Sequence, residues 1–154
     1  MMDKKINVKM LGNLSQIISK SDFCVLYEPL LGEIDPHILP LTLPSRRIIT
    51  SLDHRSDPKK SAQNVCEKFH DLNGFILIPG HRFDKFGGRH GRGYGWYDRF
   101  LSNVPVVWKK IGVCTRSQFS EIKLPLEEWD VLMNVVIVED HGIFIIYETK
   151  NSFA

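Results

Sequence analysis

A glycine-rich segment, residues 87–95, combines the residue types that bind phosphate. Five of the chain's eleven glycines fall in these nine positions, with Arg89 and Arg92 among them. Glycine tolerates positive φ and has no side chain, so its backbone amide can turn toward a ligand. Such amides and the forked guanidinium of arginine both bind phosphate oxygens. We therefore expect residues 87–95 to hold a phosphate group.

The same segment leads into a predicted helix that carries an acid in its first turn. Gly91, Gly93 and Gly95 occupy every second position before this helix, and Asp98 lies just inside it. A helix N-terminus carries partial positive charge, so the three glycines could form a row of N–H donors that continues into it. Asp98 could then hold a magnesium ion that bridges phosphate oxygens.

Taken alone, this motif leaves other interpretations open. Its spacing fits neither GxxxxGK[ST] nor GxGxxG, and a glycine-rich surface turn with solvated arginines explains it equally well. Trp96 and Tyr97 could serve only to anchor the new helix in the core. Arginine, glycine and aromatic residues also occur together in RNA-binding segments. An RNA-binding module is the less favoured alternative, because the motif lies between a predicted strand and a predicted helix.

Composition restricts the class of protein. With 154 residues, of which 43% are apolar, we expect residues 1–154 to form a single domain with one substantial core. The formal net charge of +2 is too small to predict nucleic-acid binding. The three cysteines, Cys24, Cys66 and Cys114, have no metal-ligand spacing and predict reduced, buried thiols in a cytoplasmic protein. No apolar run predicts membrane insertion, and we expect a monomer or a weak dimer.

Short apolar runs and helical patterns alternate along the chain. Strands are predicted at residues 23–27, 47–50, 74–79, 110–114, 134–138 and 143–148. Helices are predicted at residues 13–19, 58–72 and 96–102, the second with Asp57 as its N-cap and Pro58 in its first position. This order predicts an α/β fold with a mostly parallel sheet and a ligand site beyond the carboxyl ends of its strands.

Residues 79–101, PGHRFDKFGGRHGRGYGWYDRFL, closely resemble the signature of the 5-formyltetrahydrofolate cyclo-ligase family, approximately PGxxFDxxGxRLGxGxGYYDRxL. Thirteen positions match in register: Pro79, Gly80, Phe83, Asp84, Gly87, Arg89, Gly91, Gly93, Gly95, Tyr97, Asp98, Arg99 and Leu101. His90 and Trp96 replace the usual leucine and first tyrosine. Farther along the chain, Gln118, Pro125 and Asp130 match the family's closing segment.

The resemblance implies a three-layer α/β sandwich of the NagB/RpiA/CoA-transferase class. It also implies conversion of 5-formyltetrahydrofolate to 5,10-methenyltetrahydrofolate with ATP and magnesium. The implied nucleotide-binding residues are Arg89, His90, Gly91, Arg92, Gly93, Tyr94, Gly95, Trp96 and Tyr97. Arg89 and Arg92 would also be catalytic, by neutralising charge during phosphoryl transfer.

For the metal and the reduced folate the resemblance implies a further set of residues. Asp98 and Asp130 would share the magnesium ion, and Glu33 and Trp96 would contact the folate. The carboxylate of Glu33 suits the N–H edge of a pterin. An alternative is that Glu33 is only a first-turn acid that stabilises a helix.

Two departures from the family pattern bear on activity. Family members usually begin with a helix that carries a KxxxR-like pair, whereas this chain has no arginine before Arg46 and only Lys4, Lys5 and Lys9 near its start. The stretch between Glu33 and residue 74 also lacks the family's glycine-rich turn, Glu-Pro pair and tryptophan. The sequence therefore leaves open an alternative function, a relative that binds nucleotide or folate without turnover.

Overall fold

A computed structural model of the chain describes residues 5–6, 11–50, 56–93 and 95–151, with only the backbone of residues 5–6 and 11–13. The elements are β1 Lys5–Ile6, α1 Leu11–Ser19, β2 Phe23–Tyr27, β3 Arg47–Thr50, α2 Pro58–Lys68, β4 Gly74–Ile78, β5 Arg82–Asp84, β6 Arg89–His90, α3 Trp96–Leu101, β7 Lys109–Thr115, β8 Phe119–Ser120, β9 Val135–Asp140 and β10 Ile143–Glu148. Short 3-10 turns lie at Pro36–Ile38 and Arg116–Gln118.

Seven strands form one sheet in the order β1-β10-β9-β7-β4-β2-β3. All neighbouring strands are parallel except β9 and β10, which are antiparallel. Every residue of β2 and β4 is buried, which explains their uninterrupted apolar sequences, because strands covered on both faces need no polar alternation. The predicted mostly parallel central sheet is confirmed.

Helices cover both faces of this sheet. On one face Leu14 of α1 packs in an apolar cluster with Leu26 and other strand residues. On the other face Ala62 of α2 and Phe100 of α3 pack in a second cluster with Ile76. The three-layer α/β arrangement is therefore confirmed, and each helix lies where its apolar stripe has a sheet face to cover.

Helix α2 begins as predicted and ends earlier than predicted. Asp57 accepts a hydrogen bond from the amide of Lys59 at 3.0 Å. The helix ends at Lys68, before the predicted end at Leu72, because the chain turns through Asp71, which has a φ of 59°. Leu72 lies beyond the end of α2 but still packs against the core. Because it keeps the apolar spacing of the helix, the sequence pattern placed the end of α2 too late.

A second, three-stranded sheet, β6-β5-β8, was not predicted; β5 and β6 lie between β4 and α3 in the chain, and β8 follows β7. Its strands have two or three residues, too few for a periodic pattern. The sheet packs on the large one through Phe83 of β5, which lies against Gly112 of β7. A Cβ atom at Gly112 would clash with Cε1 of Phe83. The glycine therefore allows the two sheets to approach.

The three cysteines carry free thiols, as predicted. Cys24 and Cys114 are buried, and Cys66 is partly buried. Within the described ranges, no helix combines the length and the apolar character that a membrane crossing requires.

Candidate active site

A cavity of about 310 Å³ lies beyond the carboxyl end of β4, where Pro79 and Gly80 follow the strand. Its remaining walls come from the loop after β2, from β6 and the glycine-rich segment, from the start of α3 and from the loop before β9. All predicted site residues that the structure describes line it: Glu33, Arg89, His90, Gly91, Arg92, Gly93, Gly95, Trp96, Tyr97, Asp98 and Asp130. Tyr94 lies outside the described residues.

Arg89 is a buried cation in the wall of this cavity. Only 6% of it is exposed; its Nε donates to the carbonyl of Pro79 at 2.7 Å, and its guanidinium lies 5.0 Å from the ring centre of Tyr97. Burial lowers the pKa of the guanidinium, and the charge of Asp98 opposes this shift. Among the described residues, none forms an ion pair with Arg89 or accepts a hydrogen bond from Nη1 or Nη2. The group is therefore available to an anion in the cavity.

The glycines around Arg89 have two different roles. A Cβ atom at Gly91 would lie 3.2 Å from Nη1 of Arg89, and one at Gly80 would lie 3.0 Å from its Nε. These two glycines leave room for the guanidinium. Gly93 and Gly95 have φ values of 95° and 64°, a conformation that favours glycine. Their positive φ values turn the chain before α3, whereas the row of amide donors expected from Gly91, Gly93 and Gly95 stays a prediction.

Arg92 differs from Arg89 because it already has a carboxylate partner. Its Nη2 lies 3.3 Å from Oε2 of Glu33, whose side chain is only 4% exposed. Oε1 of Glu33 accepts from the amide of Leu30 at 2.8 Å. Glu33 is not a first-turn acid of a helix, because the short turn after it is capped by Asp35. That alternative is therefore wrong, and the ion pair joins the loop after β2 to the glycine-rich segment.

Asp98 and Asp130 bring two carboxylates to the same cavity. Burial raises the pKa of Asp98; the charge of Arg89 opposes this rise, and the charge of Asp130 adds to it. Oδ1 of Asp98 accepts from the amide of Val131 at 3.4 Å, and Oδ2 of Asp130 accepts from that of Glu127 at 2.8 Å. No group of three or more His, Cys, Asp or Glu suited to a metal occurs among the described residues. Two carboxylates fit magnesium, which usually takes its other ligands from phosphates and water.

Trp96 and Tyr97 anchor α3 in the core while forming part of the cavity wall. Trp96 is 4% exposed, and its indole Nε1 donates to Oγ of Ser56 at 3.1 Å. The hydroxyl of Tyr97 lies 3.2 Å from Oγ1 of Thr50, and burial raises the pKa of Tyr97 to about 12. The anchoring role that the sequence left open is therefore present in the fold.

Three wall residues were not among the predicted site residues: Pro79, Gly80 and Trp129. Pro79 and Gly80 stood within the matched motif, which was a signal for their position. Trp129 is 69% exposed. In the sequence, only its position next to Asp130 indicated that it could belong to the site. His90 is fixed at the wall by its Nε2, which lies 2.6 Å from the carbonyl oxygen of Pro125.

A buried acid holds the parts of the site together. Asp84 is fully buried, and its Oδ1 accepts from the amides of Phe86 and Gly88 at 2.8 and 2.9 Å. Its Oδ2 accepts from the amide of Leu124 at 2.8 Å. The same carboxylate therefore fixes the turn that precedes Arg89 and the start of the segment that leads to Asp130.

Comparisons with known proteins identify the family of the chain. The sequence profile of the 5-formyltetrahydrofolate cyclo-ligase family matches residues 29–139. A probable 5-formyltetrahydrofolate cyclo-ligase of Caenorhabditis elegans is 42% identical over 82 residues, which cover 48% of this chain and 37% of the relative. The 5-formyltetrahydrofolate cyclo-ligase of Saccharomyces cerevisiae is 25% identical over 114 residues, covering 70% and 54%. The chain thus spans between about a third and a half of the length of these curated relatives.

Two solved structures share the fold. A 5,10-methenyltetrahydrofolate synthetase from Mycoplasma pneumoniae aligns with a TM-score of 0.51 and 19% identity, covering 80% of each chain. A 5,10-methenyltetrahydrofolate synthetase from Aquifex aeolicus aligns with a TM-score of 0.52 and 24% identity, covering 93% of this chain and 84% of the other. At these identities the likeness shows the fold alone.

Proposed function

Because the chain belongs to the 5-formyltetrahydrofolate cyclo-ligase family, we propose that it converts 5-formyltetrahydrofolate to 5,10-methenyltetrahydrofolate with ATP and magnesium. The observation that carries this proposal is the buried guanidinium of Arg89, which has no ion pair with any described residue, in a cavity that Asp98 and Asp130 also line. A cation and two carboxylates around one cavity suit a phosphate chain with its magnesium ion. We also propose a cytoplasmic location, which the free thiols support.

The proposed reaction has two steps. The formyl oxygen takes the γ-phosphoryl group of ATP, and ADP leaves. The N10 amine then attacks the activated carbon, the C–O bond breaks, the oxygen departs with the phosphate, and the N10 proton is released. Such chemistry requires positioning and charge neutralisation more than acid or base groups.

The residues around the cavity divide this work. Arg89 is held by the carbonyl of Pro79 before any ligand arrives, so it needs little rearrangement to meet the transferred group. Arg92 is the second cation, and the amides of residues 91–97 would hold the phosphates. Magnesium held by Asp98 and Asp130 would supply further neutralisation of phosphate charge.

Glu33 is the proposed contact to the pterin of the folate. Its side chain is nearly buried, and each of its oxygens already has one partner, Leu30 or Arg92. A carboxylate oxygen can accept more than one hydrogen bond, so the pterin N–H groups can share it. If Arg92 moves to a phosphate oxygen, Glu33 gains a free lone pair for the folate.

The turnover assay tests the proposal directly. Purified protein is mixed with MgATP and 5-formyltetrahydrofolate, and the absorbance of the methenyl product is followed. We expect product only when both ATP and magnesium are present. No product at high protein concentration, with MgATP binding intact, would favour a relative that binds without turnover.

A matched pair of variants links the assay to the site. Asp98→Asn should abolish turnover and magnesium-dependent nucleotide binding. Asp71→Asn is the control, because Asp71 is exposed, lies after α2 and has a positive φ that asparagine also tolerates. Equal activity in the two variants would remove Asp98 from the proposed site.

A further inference from the structure

A second cavity, of about 610 Å³, adjoins the candidate active site. Gly95, Asp98, Trp129 and Asp130 line both cavities. The two carboxylates thus stand at the boundary between the cavities. A ligand bound there can extend from the first cavity into the second.

The boundary between the cavities also carries an exposed aromatic ring. Trp129 is 69% exposed, whereas the other two tryptophans, Trp96 and Trp108, are 4% and 2% exposed. Within the described part of the chain, no aromatic ring stacks on its indole. An exposed indole gains energy when a planar ring covers its face. Trp129 is therefore suited to stack on an aromatic ligand group.

The charges of the two cavities favour different ends of a ligand. The first cavity contains Arg89 and Arg92 and suits phosphates. Among the described residues, the charged groups in the walls of the second are Asp98, Glu128, Asp130 and Arg99. When Asp98 and Asp130 hold magnesium, the charges that remain are those of Glu128 and Arg99, which balance. The second cavity therefore favours a neutral group that carries hydroxyl and amino donors, as a nucleoside does, over a carboxylate such as the glutamate end of a folate.

We propose that the second cavity binds the nucleoside of the nucleotide, with the base stacked on Trp129. Glu128, exposed at the rim, is an acceptor for the hydroxyl or amino hydrogens of the nucleoside. A carboxylate is a common partner of ribose hydroxyls. This inference rests on the proposed function, because it requires the phosphate chain to occupy the first cavity.

Calorimetric titrations with MgATP and with magnesium tripolyphosphate, which lacks the nucleoside, test the inference. Trp129→Ala should weaken MgATP binding by about 5- to 150-fold, the range that corresponds to the loss of one base stack. Binding of tripolyphosphate should stay unchanged. Trp129→Phe should retain most of the MgATP affinity, because it keeps an aromatic face.

Ile122→Ala serves as the control, since Ile122 is also an exposed apolar residue and precedes Trp129 in the same connection between β8 and β9. It should change neither affinity. Unchanged MgATP binding in Trp129→Ala, or an equal loss for both ligands, would overturn the inference while leaving the phosphate site in place. If the unsubstituted protein bound neither ligand, the proposed function would fail as well.

Discussion

Two arginines of the site differ in their electrostatic surroundings. Arg89 is buried without an ion pair to any described residue, whereas Arg92 is paired with Glu33 and more exposed. The first is held ready for an anion by Pro79 and two flanking glycines. Arg92 must leave the carboxylate of Glu33 before it can bind an anion. Arg89 should therefore contribute more to phosphate affinity than Arg92.

Arg89→Lys should weaken MgATP binding by about tenfold or more, a loss typical of hydrogen bonds to charged groups. Lysine keeps the charge but loses the planar fork and the Nε–H bond to Pro79. Titration calorimetry measures the change. Arg82→Lys is the matched control on the neighbouring strand, at an exposed position. Comparable affinities in the two variants would contradict this account.

Asp98→Asn should raise the melting temperature at pH 7 while it removes magnesium-dependent binding. Burial raises the folded-state pKa of this carboxyl, so the folded state favours its protonated form. The associated stability is present below the unfolded pKa of about 4 and is lost as pH rises through the folded pKa. The gain from asparagine should thus be clear at neutral pH and vanish in acid. Thermal denaturation across pH measures it, and a lower melting temperature at pH 7 would disprove the assignment.

The sequence could predict which residues line the cavity because they stand in a motif that matches the family signature, whereas their types and spacing alone left a surface turn equally open. The sequence could not predict which of the two arginines, Arg89 or Arg92, forms an ion pair with a carboxylate. The partner of Arg92 is Glu33, which lies 59 positions away and reaches it only through the fold. The sequence also did not reveal that Gly91 leaves room for the guanidinium of Arg89, because that contact depends on packing.

Among the elements, the β5–β6 hairpin and the segment before β9 depend on one another through Asp84. Asp84 accepts hydrogen bonds from three amides in two segments and is fully buried. Asp84 takes no chemical part in the proposed reaction. Its effect is to fix the positions of Arg89 and Asp130, which lie on different segments.

Asp84→Ala should lower the free energy of unfolding by about 3 kcal/mol or more, because three amides would lose their acceptor in a buried place. Asp57→Ala offers a comparison, because Asp57 caps α2 through one amide only. This substitution should lower the free energy of unfolding by about 1 kcal/mol. Urea denaturation gives both values. Equal losses would show that the buried contacts of Asp84 are not the stronger ones.

The elements that the sequence predicted are those with enough residues to show a period. The long apolar strands of the large sheet were found, but β5, β6 and β8 are too short to be recognised by pattern. The end of α2 was misplaced because Phe69 and Leu72 keep the helical spacing after the helix has ended. The short strands and the end of α2 both depend on tertiary packing, which the local sequence pattern does not reveal.

Taken as a whole, the candidate site is formed by parts of both sheets. Pro79 and Gly80 directly follow β4, an inner strand of the large sheet, and Arg89 lies in β6 of the small one. The contact of Phe83 with Gly112 sets the distance between these sheets. The geometry of the cavity therefore depends on a contact that contains no site residue.

Gly112→Ala should destabilise the protein by about 1–3 kcal/mol and weaken MgATP binding, because the added methyl group meets the ring of Phe83. Moving the small sheet away would carry Arg89 out of position. Combining it with Phe83→Leu should restore part of both losses by making space. Denaturation and calorimetry measure the two effects, and a double variant no better than Gly112→Ala would argue against this contact as the cause.

The guanidinium of Arg89, which forms no ion pair with any described residue, has a practical consequence. A buried cation attracts any small oxyanion in the surroundings, not only the proposed nucleotide. We expect sulfate and orthophosphate to compete weakly with ATP. Buffers that contain them would therefore slow the proposed reaction, and so would the phosphate that this reaction releases during long incubations.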